Sequence, residues 1–286
     1  MSLLTAMSTP SRFWADLGTH DFAALQASGA IARTIAVLPV GATEQHGPHL
    51  PLRVDTALVD GVIAAAQSHL ADDLKVLFLP TQAVGLSPEH ARFPGTLTLK
   101  NETILRLWTD LAESVVASGV QKLLIFNAHG GNVSVMDLVA RDLRARLGML
   151  VYSASWFNLP LIDAQGQDLS AQFGAPEQRF GIHGGALETS MMLALEPNQV
   201  VMQRAQSFGS SAQLRAARFD ILGNGKSAKL AWQMQDYNPA GAVGNAAAAT
   251  ADAGQALLDA AGRALAQLLA EMDQLPGDTL RGDLAR

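Results

Sequence analysis

Apolar residues concentrate in four short runs that are rich in Val, Ile and Leu and are bounded by Gly, Pro, Asn or Ser. This pattern is typical of strands that are covered on both faces. The predicted strands are residues 34–40, 75–80, 121–127 and 149–155. Helical periodicity between them predicts helices at residues 56–70, 102–118 and 133–147. Because parallel strands need crossover helices, we predict an α/β fold, a three-layer α/β/α sandwich with a mostly parallel central sheet.

The order of these elements also predicts the domain organisation. The pattern weakens after residue 200, until an alanine-rich stretch at residues 245–272 predicts a long helix for packing or subunit contact. We find no internal repeat and no linker in the sequence. We therefore expect one domain over residues 1–286, with a core at about residues 30–272 and flexible tails at residues 1–12 and 275–286.

Composition limits the partners that the chain can have. Hydrophobic residues make up 49% of the chain and charged residues 16%, which favours a homo-oligomer that covers apolar surface. A formal net charge of −6 argues against nucleic acid as a partner. The sequence lacks a signal-peptide pattern and an apolar run of membrane-spanning length, so we expect no membrane partner and a cytoplasmic location. It has no cysteine, so any metal site must use nitrogen and oxygen ligands.

Histidines group in segments that contain Gly or Pro. Five of the seven histidines lie in such segments, namely His46, His49, His90, His129 and His183. The segments at residues 41–49 and 128–132 directly follow predicted strands, and residues 84–96 follow the predicted strand at residues 75–80. In a parallel sheet they emerge at the carboxyl edge, where ligands bind. One crevice can therefore hold them all.

The first of these segments offers a carboxylate and an imidazole. Glu44 and His46 are two residues apart, so in an extended chain both side chains point to the same side. Asp55 directly precedes a predicted helix. It is either the N-cap of that helix or a carboxylate that bridges two metal ions, and the local sequence leaves both interpretations open.

The segment at residues 128–132 places a histidine beside two glycines. His129 follows a predicted strand, and Gly130 and Gly131 allow the backbone to approach whatever His129 binds. Asn132 either caps the following helix or holds a ligand in place. Gly130, Gly131 and Asn132 are therefore candidates for substrate binding.

Around residue 185 a histidine and a carboxylate flank the start of a predicted helix. His183 and Glu188 can lie on the same side of this helix start and share the crevice. The alternative for Glu188 is an ordinary first-turn glutamate that the helix dipole favours. Its apolar surroundings argue against a fully solvated side chain.

The loop at residues 85–96 has too many turn-forming residues for a helix, which suggests a lid or substrate rim. Glu89 and His90 are its polar candidates for substrate binding, with a structural role as the alternative. Trp156 follows a predicted strand and is a further candidate for lining the pocket, although aromatic residues there are more often part of the core.

The candidate ligands form a mixed set of two histidines and three carboxylates, namely Glu44, His46, Asp55, His129 and Glu188. This mixture suits Zn²⁺, Mn²⁺ or Fe²⁺ rather than an all-oxygen calcium site. We predict two such divalent ions per chain as cofactors. Metal-activated water would then attack a carbonyl carbon, with catalytic roles for Glu188 and for His183 as the proton shuttle.

At these residues the sequence resembles the creatininase (creatinine amidohydrolase) family, over about residues 38–195. The resemblance is carried by Glu44-Gln-His46, Asp55, residues 87–96, residues 129–132 and residues 183–190. It implies a three-layer fold, a dinuclear metal centre and assembly as a homohexamer.

The resemblance also implies a division of the ligands. Glu44, Asp55 and His129 would surround one ion, and His46, the bridging Asp55 and a glutamate would surround the other. Creatininase itself has a glutamate two residues after the histidine of the third motif, where this chain has Gly131. The replacement ligand inferred here is Glu188, as in the His-Gly-Gly-Asn branches of the family.

The resulting prediction is a dinuclear metal-dependent amidohydrolase that cleaves a non-peptide carbon–nitrogen bond in a small amide, cyclic amide or formamide. The broader family includes formamide hydrolases and an enzyme that trims a peptide-derived cofactor precursor, so amide hydrolysis transfers more safely than the substrate. One alternative is a two-metal phosphoesterase, for which only Arg53 and Arg92 are available in the motif loops. The other is a non-catalytic, metal-stabilised binding or scaffold protein.

Overall fold

The computed structural model describes residues 11–275 and 279–280. Four strands form one parallel sheet in the order β2-β1-β3-β4. Their bounds are β1 Ile35–Val40, β2 Val76–Phe78, β3 Lys122–Asn127 and β4 Leu150–Ser155. A separate antiparallel pair joins β5 Ser207–Phe208 to β6 Gly244–Asn245.

Helices connect and flank these strands. They are α1 Thr19–Ala27, α2 Val54–Ala66, α3 Asn101–Ala117, α4 Val133–Leu147, α5 Ala175–Phe180, α6 Ala186–Leu195, α7 Ser211–Arg218, α8 Met234–Tyr237 and α9 Ala251–Gln274. Helices α3 and α4 supply the crossovers that parallel pairing requires on one side of the sheet, and α2 lies on the other.

The inner strand β1 is buried on both faces of the central sheet. Every residue of β1 is buried, and its side chains alternate between two hydrophobic clusters. Ile35 and Val37 pack in the cluster that contains α2, α6 and α9, whereas Ala36 and Leu38 pack with α3 and α4. This arrangement confirms the predicted three-layer sandwich with a parallel central sheet.

Two predicted helix starts differ from the structure by two residues or more. The helix predicted at residues 245–272 begins only at Ala251: Asn245 pairs with the strand at residues 207–208, a 3-10 turn follows at Ala246–Ala248, and Thr250 is the N-cap. The helix predicted from residue 56 begins two residues earlier, at Val54, with Arg53 in the N-cap position. Asp55 therefore lies inside the first turn, and the N-cap interpretation of this residue is wrong.

Helix α9 packs against the two helices that carry Asp55 and Glu188. A Cβ atom added at Gly254 would overlap the backbone of α6 at Ser190 and Met191. A Cβ atom at Gly262 would lie 2.7 Å from the backbone and side chain of Ala65 in α2. The alanine-rich stretch thus serves packing, one of the two predicted roles, and its glycines set how closely α2 and α6 approach it.

Several sequence predictions stay predictions. The single domain stays a prediction, and the predicted tails lie largely outside the described residues. The homo-oligomer, which the family resemblance implies is a hexamer, also stays a prediction. Leu214, Ile221 and Leu222 are large apolar side chains that are exposed in the single chain. Within the described part of the chain, none of the helices is both long enough and apolar enough to span a membrane.

We expect the Gly254→Ala variant to be destabilised by about 1–3 kcal/mol, because the new methyl group would overlap α6 backbone that cannot move independently. Urea denaturation followed by circular dichroism measures this. Gly209→Ala is the matched control, since nothing lies within 4 Å of a Cβ atom there, and we expect a change of about 0.5 kcal/mol or less. Equal stability of the two variants would contradict the close packing.

Candidate metal centre

The loops that follow β1, β2 and β3 meet at the carboxyl edge of the sheet. The loop after β1 carries Glu44 and His46 and leads into α2 with Asp55. The loop after β3 carries His129, and the segment before α6 supplies His183. All five of these side chains are buried, which is unusual for carboxylates and imidazoles.

Their polar atoms lie close together. Glu44 Oε1 lies 3.2 Å from His129 Nδ1 and 3.7 Å from His183 Nδ1. Asp55 lies between two histidines, with Oδ1 3.5 Å from His46 Nε2 and Oδ2 3.6 Å from His129 Nδ1. The structure therefore brings together residues that are separated by more than 80 positions in the sequence.

Several of these buried atoms have no hydrogen-bond partner. They are Glu44 Oε1, Glu44 Oε2, His46 Nε2 and Asp55 Oδ2. A buried polar atom without a partner is costly, so four of them converging on one place need an explanation. A cation between them would satisfy all four, because carboxylate oxygens and imidazole nitrogens are ligands for Zn²⁺ and similar metals.

Hydrogen bonds to the protein turn the other ring nitrogens away from this place. His129 Nε2 lies 2.9 Å from the carbonyl oxygen of Leu86, and His46 Nδ1 lies 3.1 Å from the carbonyl oxygen of Glu44. A carbonyl oxygen only accepts, so each of these nitrogens is the N–H donor. When these imidazoles are neutral, His129 Nδ1 and His46 Nε2 present their lone pairs towards the carboxylates, which is the arrangement that metal-binding histidines use.

Three groups of side chains have ligand atoms close enough to share an ion. The groups are Glu44, Asp55 and His129; then His46, Asp55 and Glu188; then Glu44, His46 and His183. The first two contain all five ligands predicted from the sequence, and Asp55 belongs to both. His183, predicted as a proton shuttle, is close enough to act as a ligand instead.

Electrostatics show how strongly this cluster attracts positive charge. Burial lowers the pKa of His46, but Asp55 and other carboxylates outweigh it and raise the pKa to about 9. Burial likewise opposes protonation of His129, yet Glu44 and Asp55 raise its pKa to about 10. Without a bound cation, both imidazoles would therefore hold an extra proton at neutral pH.

The carboxylates respond in different directions. Burial disfavours the charged form of Glu44, but His129 and the other imidazoles hold its pKa well below the usual range. Burial raises the pKa of Asp55 and raises that of Glu188 to about 7, although His46 counteracts both shifts. Glu188 Oε2 also accepts a 2.6 Å hydrogen bond from the Gly184 N–H. Glu188 therefore lies in the first turn of α6 and also lines the same cavity as His183.

Gln45 orients His90 towards Glu44. The Gly47 N–H donates to Gln45 Oε1 at 2.9 Å, which leaves Gln45 Nε2 to donate to His90 Nδ1 at 2.7 Å. The proton of His90 is then on Nε2, which faces Glu44 Oε1 at 3.3 Å. Both ring nitrogens of His90 are thus turned towards the protein, which favours the structural alternative over the predicted role in substrate binding.

A cavity of about 400 Å³ opens beside these residues. Its walls are formed by Glu44, Asp55, Glu89, His90, Ala128, His129, Gly130, Gly131, Trp156, Phe157, Asn158, Glu177, Gln178, Gly181, Ile182, His183, Leu187, Glu188 and Trp232. Five of the six predicted substrate-binding residues are among them. Their contact with a substrate stays a prediction.

Asn132, the sixth of these residues, lies behind the cavity wall. It is fully buried, and its side chain bonds to the carbonyl oxygen of Gly41 and the N–H of Leu86 at 3.0 Å. It occupies the N-cap position of α4 but makes no capping hydrogen bond. Its side chain instead joins the loops that follow β1 and β2, so it acts on the site through their positions.

Two residues of the site were not identified from the sequence. Glu177 is buried and accepts hydrogen bonds of 2.6 Å from the N–H groups of Ala186 and Asn245. It fixes the start of α6 next to His183, and nothing in its local sequence signals this. Gln45 was noted only as the residue between Glu44 and His46, a position that gave no indication of a contact with residue 90.

The chain matches a known family over most of its length. The sequence model described as "Creatininase: Creatinine amidohydrolase" matches residues 17–269. A mycofactocin precursor peptide peptidase from Mycobacterium tuberculosis is 34% identical over 174 residues, 59% of this chain and 61% of the relative. A creatinine amidohydrolase from Pseudomonas putida is 30% identical over 208 residues, 68% of this chain and 75% of the relative. The chain thus spans about three fifths of the length of the peptidase that it matches.

The fold is similar to solved creatininase structures. A tryptophan-to-phenylalanine mutant of creatininase superimposes with a TM-score of 0.71 at 25% identity, and the match covers 93% of this chain and 100% of that chain. This similarity agrees with the parallel sheet and flanking helices described above.

The Gln45→Glu variant tests the orientation of His90. A glutamate can only accept, so His90 must move its proton to Nδ1, and Nε2 would present a lone pair to Glu44. We expect ¹⁵N NMR of the ring nitrogens to show this change of tautomer, and metal affinity to fall by roughly tenfold. Gln267→Glu, on an exposed part of α9, is the control. An unchanged His90 tautomer would show that Gln45 does not set it.

Metal affinity should increase as the pH rises from 6 to 9. The raised pKa values of His46 and His129 mean that a cation must displace their protons, and this competition weakens as the pH approaches about 9 and 10. Calorimetry of Zn²⁺ or Mn²⁺ binding in buffers of different ionisation enthalpy would measure the protons released, which we expect to be roughly two per chain near pH 7.5. An affinity that does not change with pH would contradict this charge balance.

Proposed function

Because this chain belongs to the creatininase family, we propose that it is a metal-dependent amidohydrolase. The observation that carries the proposal is the group of four buried, unpartnered ligand atoms beside the cavity. A structural metal site is usually closed by protein ligands, whereas this group lies next to space that a substrate can enter. The same observation disfavours the non-catalytic alternative.

We propose that the centre is dinuclear. Asp55 belongs to both candidate groups and has two carboxylate oxygens facing different histidines, so it is placed to be shared. Glu44 and His129 would complete one group, and His46 and Glu188 the other. Two divalent ions such as Zn²⁺, Mn²⁺ or Fe²⁺, when bound, supply Lewis-acid polarisation of a carbonyl and a lowered pKa of water.

The protein's own side chains would manage the protons. Burial and the neighbouring His46 lower the pKa of His183 well below its ordinary value, so this imidazole is neutral near pH 7. Its Nε2 lies 2.7 Å from the carbonyl oxygen of Gln45, which makes Nε2 the donor and leaves Nδ1 as the acceptor facing Glu44. We propose, as the sequence predicted, that His183 Nδ1 is the atom that accepts and returns a proton during cleavage.

The cavity disfavours the phosphoesterase alternative. Within the described part of the chain, its walls contain neither Lys nor Arg. Arg53 instead pairs with Glu196 at 2.7 Å, and Arg92 is exposed and outside the cavity wall. A phosphoester carries negative charge that such a site would not compensate beyond its ions.

The bond that is cleaved has two candidates. We propose a small non-peptide amide, cyclic amide or formamide, in agreement with the size of the cavity and with the name of the Pseudomonas putida relative. The name of the Mycobacterium tuberculosis relative favours a second candidate, the amide bond near the end of a short peptide. Both are carbon–nitrogen bonds that the same residues could cleave.

The function is tested by measuring metal content and amine release together. Protein purified without chelator would be assayed with creatinine, formamides and short peptides, before and after chelation and readdition of Zn²⁺, Mn²⁺ or Fe²⁺. Metal-dependent release from one of these groups would support the hydrolase and decide between the two candidate bonds. About two firmly held ions with no release from any of them would favour the non-catalytic alternative.

The Asp55→Ala variant tests the shared carboxylate. Removing it should deplete both ions, because both candidate groups contain Asp55, and should lower activity by at least about a hundredfold. Metal analysis by mass spectrometry measures the first effect directly. Asp60→Ala is the matched control, since this exposed aspartate lies on the same helix. A variant that keeps two ions and full activity would refute the shared role.

A further inference from the structure

One acidic side chain in the cavity belongs to no candidate metal group and is not held by the N–H groups of other residues. Five carboxylates line the cavity. Glu44, Asp55 and Glu188 belong to the candidate metal groups, and Glu177 is held by backbone N–H groups. The fifth is Glu89, which belongs to none of those groups.

The Glu89 carboxylate accepts from its own backbone N–H, and among the described side chains it has only a weak contact with His129. Its Oε1 lies 3.6 Å from His129 Nε2, which is too long for a hydrogen bond, and His129 Nε2 already faces the carbonyl oxygen of Leu86 at 2.9 Å. The side chain is 13% exposed. A carboxylate in this position gains from a positively charged ligand.

The glycine at position 131 gives Glu89 its place at the cavity wall. A Cβ atom there would overlap Glu89 Oε1, the carbonyl oxygen of Leu86 and the His129 ring. Any side chain at this position would therefore push Glu89 aside. Both residues line the cavity, so the absence of a side chain at residue 131 exposes the carboxylate to a ligand.

The remaining charges of the cavity do not compensate Glu89. Two divalent cations would bring four positive charges to a wall that contains five carboxylates. Among the described residues that form the wall, no Lys or Arg is available to balance Glu89. The rest of the wall includes apolar side chains, among them Trp156, Phe157 and Ile182. A ligand that offers a cation on one side and an apolar body on the other would match this surface.

We propose that Glu89 is a specificity-determining residue, which selects substrates that carry an ammonium or similar cationic N–H group close to the amide bond. The carboxylate accepts a charge-assisted hydrogen bond from that group, while an anionic substituent in the same position is repelled. This inference rests on the proposed amidohydrolase function, because it assumes that the cavity holds the substrate.

Three amides that differ in charge would test this on the metal-loaded protein. Alaninamide carries an ammonium group, N-acetylalaninamide is neutral there, and N-succinylalaninamide is anionic. Their binding would be measured by calorimetry, which does not depend on turnover. We expect alaninamide to bind at least about tenfold more tightly than the succinyl compound, and the Glu89→Gln variant to reduce this ratio to about threefold or less.

Glu271→Gln is the matched control, because Glu271 is exposed on α9, far along the chain from the cavity residues, and we expect it to keep the wild-type ratio. Metal content should be the same in all three proteins. Equal binding of the three amides, no binding of any of them, or an unchanged ratio in Glu89→Gln would overturn the inference. Loss of metal in Glu89→Gln would also overturn it, by making Glu89 a ligand. Charge-dependent binding without any metal-dependent amide cleavage would support the role of Glu89 while refuting the proposed function.

Discussion

Buried negative charge is the constraint on which the site depends. Glu44 and Asp55 are almost completely removed from water, and both have carboxylate oxygens without a hydrogen-bond partner. Burying a charge in this way is costly unless an opposite charge lies next to it. The histidines around them supply that charge by holding protons, as the raised pKa values of His46 and His129 show. Metal ions would replace these protons, so the same cost explains both the pKa shifts and the affinity for cations.

Several separate parts of the fold hold the charged side chains close together. Parallel strands bring loops from distant parts of the sequence to one edge, and Asn132 ties two of these loops together. Asp55 and Glu188 lie on α2 and α6, which both pack against α9 through contacts that require Gly254 and Gly262. Positions far from the cavity therefore determine how closely the ligands approach one another. The rigidity of the site follows from the packing of the core.

The sequence was sufficient to predict the layers of the sandwich and the grouping of the candidate ligands. It was not sufficient to predict the contacts of the residues around those ligands. Helix α4 has the predicted bounds at residues 133–147, because a regular apolar period is bounded there by a glycine-rich turn and Gly148. The contacts of Glu177 and Gln45 join segments that are distant in the sequence and show no periodicity, so local patterns could not reveal them. The start of α9 was misplaced for the same reason, since the strand pair at Asn245 is a tertiary contact that local helix propensity does not reveal.

The candidate ligands and the rest of the cavity wall come from different parts of the fold. Membership of the family therefore indicates the chemistry better than it indicates the substrate. The candidate ligands lie in the buried loops that follow β1 and β3 and in the first turns of α2 and α6, where the sheet and core hold them. Most of the remaining wall comes from connecting segments, such as the loop with Glu89, the turn with Trp156 and the segment with Trp232. Connecting segments can change without disturbing the sheet, so relatives with the same centre can present different walls to a substrate. The names of the two relatives, a peptide peptidase and a creatinine amidohydrolase, differ in this respect. The charge and shape of the wall in this chain are therefore the features from which its own substrate has to be inferred.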